Sequence, residues 1–175
     1  MVIWLTGLSG SGKTTLCNAL WNLLKPRFPE TVSLDGDAIR SAFGEGLGYR
    51  EEDRVIQITR IQNLAKVLSD QGLLVLVAAL YASPALLTWN RQNIQEYFEV
   101  YLATPWETLI RRDSKGLYSG AKSGKIPNVV GMDIQWHIPE APDMVISGEP
   151  TKTPDLLAQE VLDAVPFMKL RIPTP

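Results

Sequence analysis

Eight residues near the start of the sequence, Gly7-Leu8-Ser9-Gly10-Ser11-Gly12-Lys13-Thr14, match the pattern G-x-x-x-x-G-K-[ST]. Its glycines let the backbone turn so that successive N–H groups point inward around a phosphate. Lys13 can then reach the β- and γ-phosphates of a nucleotide, and the Thr14 hydroxyl can bind Mg²⁺. The segment therefore predicts a site for a nucleoside triphosphate with its magnesium ion.

The residues on either side of this loop favour the same interpretation. Val2–Thr6 is an apolar stretch typical of a buried strand, and residues 14–24 have the pattern of a helix. A helix that begins at the loop presents its positive N-terminal end to the bound anion. An accidental match to the motif would not be expected to have a strand before it and a helix after it.

A second group of residues with chemical potential is Asp35-Gly36-Asp37, which follows an apolar stretch at 31–34. Parallel sheets place ligands beyond the carboxyl ends of their strands, so both aspartates should face the phosphate loop. One carboxylate can hold Mg²⁺, and the other can accept the proton of an attacking hydroxyl. The spacing does not decide which aspartate has which role. Arg40, three residues after Asp37, suits an anionic acceptor, with a plain surface arginine as the alternative.

Apolar segments alternate with helical ones along the chain, as in a parallel sheet covered by helices. We predict an α/β fold, a P-loop NTPase-type three-layer sandwich with helices on both faces of the sheet, in one domain over 1–175. The predicted strands are Val2–Thr6, 31–34, 73–79, 98–102 and 144–146. The predicted helices are 14–24, 51–71, a segment through Trp89 to about 95, 105–113 and 154–165.

Three local expectations accompany this outline. The long helix should bury one face, formed by Val55, Ile58, Ile61, Leu64, Ala65 and Leu68. Cys17 should be a small buried thiol on the first helix. Residues 114–131, rich in Gly, Ser, Lys and Asn, predict a mobile lid, and the tail at 171–175, with two prolines, should be frayed.

Composition excludes several other classes of function. A net charge of −2 gives no electrostatic case for nucleic acid, and one cysteine with one histidine rules out an internal disulfide and a Cys/His zinc site. The longest apolar run, 72–82, is too short to cross a bilayer. The first strand begins almost at Met1, so we expect no signal peptide, no membrane partner and a cytoplasmic location.

Other motifs, present or absent, indicate which class of phosphate-loop protein this sequence fits. Motor and hydrolase members usually end a central apolar strand in an acidic residue, whereas the strand at 73–79 ends in alanines. The Asn/Thr-Lys-x-Asp guanine motif of GTPases is absent from the sequence. Acidic residues stand instead at Asp35 and Asp37, which favours a kinase that transfers phosphate to a hydroxyl.

The ordered motifs resemble those of the adenylylsulfate kinase family, over most of the chain from Ile3 to about Val145. The most selective piece is Arg112-Asp113 followed by Lys115-Gly116-Leu117-Tyr118. The other pieces are Trp4 to Gly10, Leu34 to Asp37 with Arg40, Leu47 to Tyr49 with Glu52 to Arg54, Gly131 to Asp133, and Pro139 to Pro142.

The resemblance implies a reaction and roles for the matching residues. Members use MgATP to phosphorylate the ribose 3′-hydroxyl of adenosine 5′-phosphosulfate, and a homodimer is implied. Arg112 would stack on adenine, and Lys115 would act from the lid. ATP would contact Gly7, Ser9, Gly10, Ser11, Gly12, Lys13, Thr14, Thr15 and Arg112. The catalytic residues would be Lys13, Asp35, Asp37 and Lys115, with Mg²⁺ on Thr14 and Asp35. The acceptor would contact Asp37, Arg40, Tyr49, Arg54, Gln57, Lys115 and Val129.

The departures from the family pattern all concern the acceptor. Ala38 replaces an asparagine, Gln57 lies where the family has a shorter amide, and residues 80–85 lack the Ile-Ser-Pro-Tyr-Arg segment. Val129 replaces an aromatic residue that stacks on adenine, and Tyr49 replaces a phenylalanine on the other side of that base. Stacking of a base on one aromatic ring is worth about 1–3 kcal/mol, so these changes should weaken the binding of adenylylsulfate.

Adenylylsulfate is therefore the default acceptor, and two alternatives stay open. The first keeps the reaction but uses another small nucleotide-linked acceptor, for example a CDP- or UDP-linked compound. The second is a nucleotide-binding protein that has lost turnover, although the residues expected to carry the chemistry are all in place.

Overall fold

Five strands alternate with helices in the part of the chain that the computed structural model describes, residues 1–44, 46–113, 115–147 and 152–168. The strands are β1 (Val2–Thr6), β2 (Thr31–Asp35), β3 (Leu74–Ala79), β4 (Tyr97–Ala103) and β5 (Met144–Ser147). The helices are α1 (Lys13–Leu24), α2 (Gly36–Ala42), α3 (Glu51–Asp70), α4 (Pro84–Asn93), α5 (Trp106–Arg112), α6 (Leu117–Lys122) and α7 (Pro154–Ala164), with a 3₁₀ turn at Pro166–Met168. Every strand predicted from the sequence is confirmed.

The strands of the described residues form one parallel sheet in the order β2-β3-β1-β4-β5. Strand β1 lies in the middle, with Val2 in register with Val75 of β3 and Tyr97 of β4. All five residues of β1 are buried, as the uninterrupted apolar sequence of a central parallel strand predicts. Because every strand runs the same way, the carboxyl ends of β1 and β2 open onto one edge of the sheet.

Side chains of β1 alternate between two separate cores. Ile3 and Leu5 pack on one face with buried residues of α1 and α7 such as Leu20 and Val161. Trp4 packs on the opposite face with α3 and α4, which contribute residues such as Ile61. The sheet is thus covered on both faces, and the predicted three-layer sandwich is confirmed.

Two single-residue predictions, for Val55 and Cys17, have different outcomes. Val55 was expected on the buried face of α3 but is 37% exposed, because it precedes Ile58, the first residue of the helix in the sheet-facing core. Cys17 is buried as predicted.

The predicted frayed tail at 171–175 lies outside the described residues. None of the described helices combines the length and apolar character needed to cross a membrane.

A cluster of charges fastens β5 to the rest of the sheet. The Asp143 carboxylate, just before β5, accepts hydrogen bonds from the Glu99 main-chain N–H at 2.7 Å and from the Arg91 guanidinium at 3.0 and 3.2 Å. The same guanidinium lies 3.6 Å from the buried Glu99 carboxylate, which accepts a hydrogen bond from the Tyr97 hydroxyl. Asp143 therefore joins α4, β4 and the chain that enters β5.

Replacing Asp143 by alanine should destabilise the fold. It removes the partner of a main-chain N–H and of a guanidinium together, so we expect the free energy of unfolding to fall by about 1–3 kcal/mol. Denaturant unfolding of Asp143→Ala measures this loss. The matched control is Asp70→Ala, which removes a carboxylate from the exposed Lys66–Asp70 pair and should cost under about 0.5 kcal/mol. Equal small losses in both variants would contradict this role of Asp143.

Candidate functional site

The loop between β1 and α1 is shaped by its glycines. Gly10 and Gly12 have φ angles of +77° and +99°, a left-handed region that other residues rarely adopt. A Cβ at Gly7 would lie 2.8 Å from the Leu102 carbonyl oxygen, so a side chain has no room there. The loop therefore runs close against β4 before α1 begins at Lys13. This is the geometry of a phosphate-binding loop at a helix N-terminus.

The ammonium group of Lys13 is folded back onto this loop. Its Nζ donates hydrogen bonds to the carbonyl oxygens of Gly7 at 2.8 Å and Leu8 at 2.9 Å. Burial and the nearby positive charge of Lys115 lower the pKa of Lys13 to about 8, against the opposing effect of Asp37 and Asp35. A bound anion is the partner that would stabilise the charged form of Lys13.

Asp35 connects the phosphate loop to the second strand. One carboxylate oxygen accepts a hydrogen bond from the Thr14 hydroxyl at 3.0 Å. The other accepts from the main-chain N–H groups of Asp37 at 2.9 Å and Ala38 at 3.3 Å, so Asp35 caps the N-terminus of α2. The two residues predicted to bind Mg²⁺, Thr14 and Asp35, are thus in direct contact.

Asp37 extends from the first turn of α2 toward the segment predicted as a lid. Its carboxylate accepts a hydrogen bond from the Lys115 ammonium at 2.6 Å, with both side chains more than half exposed. This hydrogen bond raises the pKa of Lys115 above its usual value. An exposed ion pair of this kind contributes little stability, so a ligand can separate it at small cost.

The segment predicted as a lid contains a helix in its described part. It contains α6, which the sequence analysis did not predict, and Tyr118 of α6 is buried. The Tyr118 hydroxyl donates to the Ser9 carbonyl oxygen at 2.8 Å, and Asp113 accepts from the N–H groups of Tyr118 and Ser119. These contacts attach α6 to the phosphate loop. Movement of residues 114–131 stays a prediction, and residue 114 itself lies outside the described residues.

In the region predicted to bind the acceptor, two arginines lie beside Tyr49. Arg40 donates to the carbonyl oxygens of Leu47 and Gly48, and its guanidinium carbon lies 4.7 Å from the centre of the Tyr49 ring. Arg54 donates to the Tyr49 carbonyl oxygen, and its carbon lies 5.7 Å from that ring. Burial, with the charge of Arg40 beside it, lowers the pKa of Arg54. Both arginines thus hold the loop that carries Tyr49 and leave positive charge beside it.

Arg54 also reaches the opposite wall, where it donates to the Asn128 carbonyl oxygen at 2.7 Å. The next residue, Val129, is buried, and Asp133 accepts a hydrogen bond from its N–H at 2.5 Å. Gln57 lies on α3 one turn after Arg54, is 4% exposed, and donates from its amide nitrogen to the Gly36 carbonyl oxygen at 3.2 Å.

These groups surround a cavity of about 640 Å³, a size typical of small-ligand sites. The predicted site residues that line it are Ser9, Gly10, Gly12, Lys13, Thr14, Thr15, Asp35, Asp37, Arg40, Tyr49, Arg54, Gln57, Lys115 and Val129. Gly7, Ser11 and Arg112 are not among the lining residues. Arg112 donates to the Gly10 carbonyl oxygen at 3.1 Å, and its stacking on adenine stays a prediction.

Sequence reasoning missed several parts of the cavity. Tyr81 lines it and donates its hydroxyl to the Glu51 carboxylate at 2.5 Å, and burial raises the pKa of Tyr81 to about 12. The only signal was that residues 80–85 depart from the family pattern. The main-chain carbonyls of Gly36 and Asn128 gave no signal, because every residue has a carbonyl group.

Comparison with known proteins indicates one protein family. The sequence model of the family described as Adenylylsulphate kinase matches residues 1–147. The cytidine diphosphoramidate kinase of Campylobacter jejuni is 40% identical over 146 residues, which cover 83% of this chain and 85% of that protein. The adenylyl-sulfate kinase of Pseudomonas aeruginosa is 40% identical over 163 residues, covering 92% of this chain and 83% of that protein.

A solved structure agrees with these sequence relatives. The Mycobacterium tuberculosis APS kinase, in complex with AMPPNP and APS, superposes with a TM-score of 0.84 at 34% identity, over 93% of this chain and 95% of the other. The family match thus covers the phosphate loop, the two aspartates and the lid, and the fold agrees throughout. This chain belongs to the adenylylsulphate kinase family.

Proposed function

We propose that this chain transfers the γ-phosphoryl group of ATP to a ribose hydroxyl of a small anionic nucleotide. The observation that carries the proposal is that Lys13, the Thr14–Asp35 pair and the Asp37–Lys115 pair all line one cavity. Such a reaction needs a phosphate cradle, a group that accepts the hydroxyl proton and positive charge beside the transferred group. Each is supplied by a different element at the same edge of the sheet.

The donor half of this reaction is assigned to the phosphate loop. Main-chain N–H groups at the start of α1 would bind the phosphates, and Lys13 would exchange its two carbonyl partners for phosphate oxygens. The hydroxyl and carboxylate oxygens of Thr14 and Asp35 suit a hard cation, and their 3.0 Å contact supports Mg²⁺ there. When bound, Mg²⁺ would neutralise charge on the phosphates.

The acceptor half is assigned to the other wall. Asp35 already uses its oxygens on Thr14 and on the N-terminus of α2, which favours Asp37 as the group that accepts the hydroxyl proton. Lys115, released from Asp37, would stabilise the negative charge of the transferred group. Arg40 and Arg54 would bind the anionic part of the acceptor. Docking of the lid over this site would exclude water and so limit hydrolysis of ATP.

For the acceptor itself, we favour cytidine diphosphoramidate over adenylylsulfate. A base held between the two walls would have the Tyr49 ring on one side and Val129 on the other. With one aromatic wall, a large purine loses more stacking than a smaller pyrimidine, at about 1–3 kcal/mol per ring contact. The likeness to the Campylobacter jejuni cytidine diphosphoramidate kinase supports the same choice. Adenylylsulfate is the second candidate, supported by the Pseudomonas aeruginosa relative and by the bound APS of the structural neighbour.

A panel of acceptors tests this proposal. We expect ADP release with cytidine diphosphoramidate at a kcat/KM at least about tenfold above that with adenylylsulfate, as loss of one stacking contact predicts. UDP-linked compounds and free sugars complete the panel. A tenfold preference for adenylylsulfate would overturn the choice of acceptor, while the proposed kinase reaction would stand. ATP binding without ADP release on any acceptor would support a protein without turnover.

Substitution of the aspartates tests the division of roles. Asp37→Asn keeps the shape of the side chain but cannot accept a proton, so kcat should fall roughly 10²- to 10⁴-fold with little change in ATP affinity. Asp35→Asn should also lower kcat far more than ATP affinity. Steady-state kinetics and nucleotide titration measure both effects. Asp70→Asn, on the exposed side of α3, is the matched control. Turnover near that of the wild type in both site variants would contradict the assignment.

The lowered pKa of Lys13 predicts proton uptake when ATP binds. In the free protein Lys13 is charged below about pH 8 and mostly neutral above it. Phosphate favours the charged form of Lys13. Binding of ATP should therefore be accompanied by uptake of about one proton at pH 9 and of almost none at pH 7. ATP affinity should therefore fall as the pH rises through 8. Calorimetry in buffers of different ionisation enthalpy measures the uptake. In Lys13→Arg, which stays charged, the uptake should vanish. Equal heats in all buffers at pH 9 would contradict the prediction.

A further inference from the structure

The Gln57 side chain holds a hydrogen-bond acceptor that the protein does not use. Gln57 is 4% exposed and lines the cavity. Its amide nitrogen donates to the Gly36 carbonyl oxygen, while its Oε1 atom is buried with no hydrogen-bond partner among the described residues. A buried acceptor without a donor costs about 1–3 kcal/mol, so such an atom in a ligand cavity calls for a donor on the ligand.

The orientation of this amide is fixed by its partner. The Gly36 carbonyl oxygen can only accept a hydrogen bond, so the NH₂ end of Gln57 must face it and the oxygen must face away. Turning the amide round would set two oxygens against each other and leave two buried donors unused. The unused acceptor therefore belongs to a side chain that lines the cavity, although the oxygen itself is buried.

No neighbouring group in the part of the chain that the structure describes donates to this oxygen. A Cβ at Gly36 would lie 3.4 Å from the Ala78 carbonyl oxygen, which cannot donate, and 4.0 Å from the apolar Ile61 side chain, so this part of the wall is closely packed. The hydroxyl of Tyr81, another lining residue, is already committed to Glu51. Arg54, one turn earlier on α3, is engaged with Tyr49 and Asn128. These neighbours leave the oxygen without a donor, and a ligand in the cavity can supply one.

The two candidate acceptors differ in this respect. A terminal sulfate carries only oxygen atoms without hydrogen, so beside Gln57 Oε1 its lone pairs would meet those of the amide oxygen. A terminal phosphoramidate carries an NH₂ group on phosphorus, which donates. We infer that the Gln57 carbonyl oxygen accepts a hydrogen bond from the terminal NH₂ of a nucleoside diphosphoramidate, and so selects it over the corresponding phosphate or sulfate. The inference rests on the proposed kinase function and adds a specificity-determining residue to it.

The length of the side chain fits this role. The corresponding residue of the resembling family pattern is the shorter amide asparagine, whereas Gln57 has one more methylene group. A longer side chain brings the amide to the Gly36 carbonyl and fixes its direction. Asparagine at this position would not reach the same partner, and its amide would be free to turn a donor toward the ligand.

The test compares acceptors that differ by single groups. CDP differs from cytidine diphosphoramidate by an oxygen in place of the terminal NH₂, and uridine diphosphoramidate differs only in the base. The measured quantity is the ratio of kcat/KM for cytidine diphosphoramidate to that for CDP. Changes in charge between the two acceptors cancel when this ratio is compared between wild type and variants. We expect Gln57→Met, which keeps length but removes the acceptor, to lower the ratio about tenfold or more.

Controls separate this effect from damage to the fold. Asn63→Leu removes an amide from the exposed face of α3 and should leave the ratio unchanged. Thermal unfolding and ATP affinity should be those of the wild type in every variant used. If Gln57→Met does not fold, Gln57→Asn takes its place and should also lose the preference for the NH₂ group.

The remaining outcomes each overturn a distinct statement. A ratio near 1 in the wild type, or one that Gln57→Met leaves intact, overturns the role of Gln57 while the kinase proposal stands. Cytidine and uridine diphosphoramidate share the terminal group and differ in the base. If Gln57→Met changes the ratio of kcat/KM between these two acceptors, the oxygen recognises the base, and the inference is overturned. Absence of turnover on cytidine diphosphoramidate, with turnover on adenylylsulfate, overturns the proposed acceptor itself.

Discussion

The hydrogen bond between the Thr14 hydroxyl and the Asp35 carboxylate joins the start of α1, which follows β1, to the end of β2, and these two strands are not neighbours in the sheet. Strand β3 lies between β1 and β2, so no ladder of main-chain hydrogen bonds relates the phosphate loop to Asp35 directly. Their meeting depends on the parallel direction of all three strands. The other oxygen of Asp35 caps α2 and so sets the direction of Asp37. Through Asp37 the same carboxylate determines where Lys115 of the lid can dock.

The two walls of the cavity are built on different principles. The donor wall is made largely of main-chain groups held by glycines at positive φ, with Lys13 and Thr14 as its main side chains. Such a wall tolerates few substitutions, because its shape depends on residues without a Cβ. The acceptor wall is made of side chains, among them Tyr49, Gln57 and Val129. Under the proposed function, single substitutions in this wall would change specificity while the chemistry at the loop stays constant.

The lid shows where local sequence preference fails. The sequence analysis predicted a mobile lid there and no helix, yet α6 forms with six residues. So short a helix is not stable by itself. It is stabilised by contacts distant in sequence, since Tyr118 packs edge to face with Trp106 at 5.1 Å and donates to the Ser9 carbonyl. Asp113 satisfies main-chain N–H groups at its start. Composition describes a segment alone and carries no information about these partners.

The sequence by itself determined the strands, most helices, the phosphate loop and the identity of Asp35 and Asp37, because these depend on local spacing and on apolar periodicity. Only the tertiary structure decided that Val55 is exposed, that Arg112 donates to the Gly10 carbonyl, and that the Gln57 amide nitrogen donates to the Gly36 carbonyl. The last two outcomes depend on a main-chain carbonyl far away in the chain. A carbonyl is common to all residues, so its position, rather than any letter of the sequence, selects its partner.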